Sequence, residues 1–132
     1  MPQLAKGGKW VFGWVTAEGD SRITIPAEAY QEYGFQAGDK VVSLRGSRRS
    51  GGFAVGRAER IAAAAGGLEL QKRAVGGGEI EADRQVLLPG QIGIQPGDRL
   101  LAVRGSGLAQ GFVVRGPIYE EALRYPDLLS WP

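Results

Sequence analysis

The chain has 132 residues, enough for one domain or two very small ones. It contains no histidine and no cysteine, which excludes disulfides, thiol or Ser-His-Asp catalysis, and metal sites built on those ligands. The net charge of +2 is uneven, +3 over residues 1–66 and −1 over 67–132, and 12 of the 16 basic residues are arginine, the better side chain for planar contact with phosphate or guanine.

In chain order, the first expected element is a strand over Lys9–Val15, where Trp10, Phe12 and Trp14 alternate with Val11 and Gly13. That face reads as core or dimer contact, with an aromatic platform for nucleic-acid stacking as the alternative. Ile23 and Ile25 then point to one face of a short strand that Pro26 ends. A short helix follows over Ala27–Tyr33 and stops at Gly34. Ala37-Gly38 suits a type II turn, Val41–Leu44 is an apolar strand, and Phe53–Val55 returns after the Gly/Ser-rich connection Arg45–Gly52. Arg57–Ala65 has helical composition and ends at Gly66-Gly67. Leu68–Val75 is expected to be a strand. Val86 and Leu88 lead to Pro89, Gly90–Gly93 makes a turn, and Pro96-Gly97 makes a second type II turn. Leu100–Val103 and Phe112–Val114 are strands joined through Arg104–Gly111. Ile118–Arg124 is a short amphipathic helix. Leu128, Leu129 and Trp131 dock on the body of the domain or, alternatively, engage a partner.

These elements occur twice. Gln36–Ser47 and Gln95–Ser106 are identical at six of twelve positions at an offset of 59 residues. Ile23-Thr24-Ile25-Pro26 faces Val86-Leu87-Leu88-Pro89 at an offset of 63. The second copy has therefore lost four residues where the first has its helix. One copy alone leaves two open strand edges, and a tandem pair can close a shared core within one chain. The expected organisation is a first repeat over 1–56, a helical and glycine linker over 57–67, a second repeat over 68–117, and a C-terminal helix and tail over 118–132.

Ser21-Arg22-Ile23-Thr24-Ile25-Pro26, the short helix, and Gly34-Phe35-Gln36-Ala37-Gly38-Asp39-Lys40-Val41-Val42 resemble the AbrB/SpoVT/MazE swapped-hairpin family. That family typically reads Gly-Arg-(Ile/Val)-x-Ile-Pro, a helix, then Pro-Gly-Asp. Val86–Leu101 resembles the same pattern with the helix cut down, a tandem arrangement like that of the MraZ branch. The resemblance implies a mainly β fold with short helices, a swapped-hairpin β-barrel pseudo-dimer. It also implies a DNA-binding transcriptional regulator that contacts double-stranded DNA through arginines on one barrel face. The alternative is a protein-interaction or antitoxin-like module on the same barrel, partnered by another protein or by a second copy.

Arg22 matches the family's contact arginine, with an ion pair to Glu18 or Asp20 as the competing reading. In the second copy the arginine is displaced by one position, to Arg84, and one step along a strand reverses the face. Arg48 and Arg49 form the densest basic cluster, in a loop that either approaches phosphates or is an ordinary exposed hairpin connection. Arg45 and Arg104 recur in both copies and are read as fixing the start of each loop. Gly38, Asp39, Gly97 and Asp98 are structural turn residues, the glycines at positive φ and the aspartates bonding their own backbone; a catalytic dyad is the weaker reading. The sequence points to no enzyme, no cofactor and no metal site, to no membrane segment, and to the cytoplasm.

Overall fold

The computed structural model describes residues 3–4, 10–46, 52–104, 108–124 and 130–131. Ten strands and four α-helices follow in chain order among them: β1 (Gln3–Leu4), β2 (Trp10–Thr16), β3 (Arg22–Thr24), α1 (Ala27–Glu32), β4 (Lys40–Arg45), β5 (Phe53–Arg57), α2 (Ala58–Ala63), α3 (Gly67–Gln71), β6 (Ala74–Glu79), β7 (Gln85–Leu87), β8 (Arg99–Val103), β9 (Ala109–Val113), α4 (Pro117–Ala122) and β10 (Ser130–Trp131). The fold is mainly β.

Hydrogen bonds order one sheet as β1-β2-β8-β9-β5-β4-β6, with β10 parallel to β2 and every other pair antiparallel. A separate antiparallel ladder joins β3 to β7. The sheet is an open path among the described residues, where no closed barrel is shown, and it packs on the two-stranded ladder. Phe12, Val15, Val41, Phe53, Val55, Leu100 and Phe112 from the sheet share one core with Ile23, Ile25, Val86 and Leu88 of the ladder region. Two smaller clusters cover the other face. Trp14, Leu101 and Val113 pack under α4, while Leu44 and Ala109 pack under Ile61 of α2.

The pairing runs between the two copies. β2 of the first pairs with β8 of the second, and β6 of the second pairs with β4 of the first. Two ladders pair equivalent residues with each other. Ile23 lies opposite Val86, and Phe53 opposite Phe112, whose rings stack at 5.0 Å between centroids. Even an irregularity is repeated: Phe12 is the extra residue of a bulge in β2, and Val75 is the extra residue at the corresponding place in β6.

Several expectations change. The bulge breaks the aromatic alternation, so Phe12 joins the main core while Val11 and Trp14 lie in the cluster on the opposite face. Leu68–Val75 is not a strand. Leu68, Glu69, Leu70 and Gln71 are good helix formers and sit in α3, and the strand is instead the glycine-rich Ala74–Glu79. The helix expected over Arg57–Ala65 is the shorter α2, because Ala64 is already extended at ψ 150°. The returning strand of the second copy begins at Ala109, three residues before the expected Phe112. The tail reaches the sheet through β10, whose Trp131 pairs with Val15; Leu128 and Leu129 lie outside the described residues.

Candidate nucleic-acid interface

The β3–β7 ladder sets the site. Ile23 and Val86 face the core, so their strand neighbours face outward: Arg22 opposite Leu87, and Thr24 opposite Gln85. Symmetric backbone bonds fix the ends of the ladder. The Ile25 amide donates to Arg84 O at 2.9 Å, and the Leu88 amide donates to Ser21 O at 3.1 Å. Ser21 and Arg84 are equivalent positions and both are left-handed, with φ of 68° and 64°. Both positions thus take a left-handed conformation that glycine would adopt without strain.

Arg22 is held by carboxylates. Its Nε and Nη2 donate to the two oxygens of Glu81 at 2.7 and 3.1 Å, a fork-to-fork pair, and its Nη1 donates to Asp20. The hydrogen bond from Arg22 lowers the Glu81 carboxyl below its ordinary value, and the same bond raises the guanidinium. The side chain of Arg22 is 30% exposed. Asp20 was among the expected partners; Glu81 was not. It could have been found: Glu81 is the counterpart of Glu18 at the 63-residue offset, and an interlocked pair exchanges such partners between copies.

Arg84 does not lie beside Arg22 as a second free cation. Its Nε donates to Ile25 O at 3.0 Å, and its side chain lines a shallow groove of about 590 Å³ along α1, with Tyr30, Gln31 and Phe35. Among the described residues, the segments flanking the ladder carry Glu18, Asp20, Glu81 and Asp83 against Arg22 and Arg84. Arg48 and Arg49 lie outside the described residues.

The recurring residues divide in the same way. Asp39 Oδ2 accepts from the Gln36 amide at 2.8 Å, and Asp98 Oδ2 accepts from the Gln95 amide at 2.9 Å. Gly38 and Gly97 sit at φ 90° and 85°. Each turn grips the other copy: the Gly38 amide bonds Ile80 O at 2.7 Å, and the Gly97 amide bonds Ala17 O at 2.9 Å. Arg104 donates a fork-to-fork pair of hydrogen bonds to Glu32 of α1 at 2.8 and 2.5 Å, and these bonds raise the pKa of its guanidinium. Arg45 differs from its counterpart, since it is the Arg45 carbonyl that accepts two bonds from the Arg73 guanidinium.

Among the described residues no group of three acidic side chains is placed to hold a metal ion. Nor is any helix there long and apolar enough to cross a membrane. No protein-family model matches the chain, and no curated protein matches it.

Proposed function

We propose that the chain is a DNA-binding regulator of the AbrB/SpoVT type, built as an intramolecular swapped-hairpin pseudo-dimer. The observation that carries this reading is the interlocked pairing. Each copy's first strand bonds to the other copy, and the short ladder centred on Ile23 and Val86 places Arg22 on its outer face. The reading assigns phosphate contact to Arg22, with Arg48 and Arg49 supplying the denser charge and Arg84 acting as a hinge residue. The acidic neighbours of Arg22 then hold it until a phosphate competes, so affinity is modest and salt-sensitive.

A second reading is favoured by one observation. Leu87 is 44% exposed directly opposite Arg22, and among the described residues flanking the ladder four carboxylates stand against two guanidiniums, which suits a protein partner better than a polyanion.

Fluorescence anisotropy on random duplex DNA at two salt concentrations separates the two. The DNA reading expects log K to fall by about 0.9 per phosphate contact with log salt, giving a slope of roughly −3 to −5. It also expects Glu81→Gln to tighten binding by releasing Arg22. Absence of binding at low salt and micromolar protein, in both wild type and Glu81→Gln, rejects it in favour of the interaction module.

A further inference from the structure

The two ends of the β3–β7 ladder are equivalent positions in the two copies, and they are built differently. At one end α1 is intact, and Ala27, Tyr30 and Gln31, spaced i, i+3 and i+4, lie along one side of it. They form a wall of the shallow groove, and Arg84 from the second copy faces them across it. The rings of Tyr30 and Phe35, both in that lining, stand 6.1 Å apart. At the other end the helix is reduced to the single turn Gly90–Ile92. The residue equivalent to Arg84 there is Ser21, whose hydroxyl donates to Ile94 O at 3.3 Å. The helical wall and the cation therefore occur together, at one end alone.

The backbone is bent to present Arg84. Asp83 and Arg84 are consecutive left-handed residues, at φ 61° and 64°, although neither is glycine. Asp20, the counterpart of Asp83, is not left-handed. The Nε of Arg84 is anchored on Ile25 O, and its two Nη groups make no hydrogen bond or ion pair among the described residues. Arg22, Arg57 and Arg104 by contrast each meet a carboxylate. None of the residues lining the groove is acidic.

An anchored guanidinium with two free donor groups beside aromatic rings is complementary to a carboxylate carried on an apolar group. A shallow, open groove suits a polypeptide segment laid along it better than an enclosed small molecule. A polyanion is disfavoured, because α1 carries Glu28 and Glu32 and no basic residue, and Asp83 adjoins Arg84. We propose that this groove binds an acidic peptide segment of a partner protein, with an aromatic residue against Tyr30 and Phe35 and the neighbouring carboxylate on the Nη groups of Arg84. The site does not rest on DNA binding or on the Arg22 face. One bidentate contact on an open surface corresponds to a dissociation constant on the order of 100 µM to 1 mM.

Amide NMR on the full chain, titrated with the capped peptide acetyl-Ser-Phe-Glu-Ser-amide, tests this. Shifts should centre on residues 27–36 and on Arg84, and acetyl-Ser-Phe-Gln-Ser-amide should bind about fivefold more weakly. Arg84→Gln should weaken the acidic peptide about tenfold. Because Arg84 sits at a strained position, the exposed Gln31 supplies a second pair of variants. Gln31→Lys should tighten the acidic peptide and Gln31→Glu should weaken it, each by about threefold, with the neutral peptide unchanged. The absence of saturable shifts up to about 5 mM peptide overturns the proposal. So do equal affinities for the two peptides, shifts centred elsewhere, or a duplex oligonucleotide that perturbs residues 27–36 at lower concentration than the peptide.

Discussion

Arg22 and Glu81 make a pH-dependent contact whose sign can be worked out. The Glu81 carboxyl is lowered in the folded chain by the hydrogen bond from Arg22. Its contribution is therefore fully present above the ordinary carboxylate value and is lost as pH falls through the depressed one. Glu81→Gln should be less stable than wild type at neutral pH, and the gap should close below about pH 4. Urea denaturation across that range measures it, and a constant gap would mean the pair contributes nothing. The turn aspartates give a second expectation. Asp98 serves its own turn, whereas Asp39 also meets Arg57 Nε at 3.3 Å. Asp98→Ala should cost about 1 kcal/mol and Asp39→Ala somewhat more, read from urea midpoints. These turns were legible in the sequence because their chemistry is local: an aspartate three residues after the amide it accepts from, and a glycine where φ must be positive. Of the two partners of Arg22, Asp20 is local and was expected, whereas Glu81 comes from the other copy and shows in the sequence only through the 63-residue offset.

At the scale of elements, legibility followed side-chain content. β4 and β8 are apolar strands and read as such. β6 contains Gly76-Gly77-Gly78, which carries no strand signal; pairing with β4 makes it a strand. Just before it, Leu68 and Leu70 look like strand residues but belong to α3, with Leu68 77% exposed. The pair α2–α3 is tied to the sheet through Ile61, which is fully buried against Leu44 and Ala109. Ile61→Ala should cost about 2–5 kcal/mol in a urea titration. It should also raise hydrogen exchange across 58–71 while β3 and β7 keep their protection. Equal loosening of the ladder would show that the small cluster is not a separate unit of packing.

For the whole molecule, the strand order says that neither half is a folding unit. Within the first copy β1 pairs with β2 and β4 with β5, but β2, β3 and β5 each also bond to a strand beyond residue 84. A fragment of residues 1–60 should be unfolded, aggregated or a homodimer in which a second fragment supplies the missing strands. Light scattering and circular dichroism decide this, and a well-folded monomer would contradict the interlocked arrangement. The mainly β character was readable, but the open sheet was not: the doubled motif does not say where the strands β1 and β10 end up.

The same interlocking bears on how the chain is made. β2 begins at Trp10, and its partner β8 is complete only at Val103. At ordinary translation rates of about 5–20 residues per second, the first strand waits roughly 5–20 s for its mate. Throughout that interval Phe12, Val15, Ile23 and Ile25, all of them core residues in the finished fold, lack the part of their native cover that Val86, Leu88, Leu100 and Phe112 supply. The ribosome-bound half-chain is thus the most vulnerable form of this protein. Two nascent chains on neighbouring ribosomes could complete each other's sheets in the wrong molecule. A slow stretch of codons between those for β2 and β8 would lengthen that exposure.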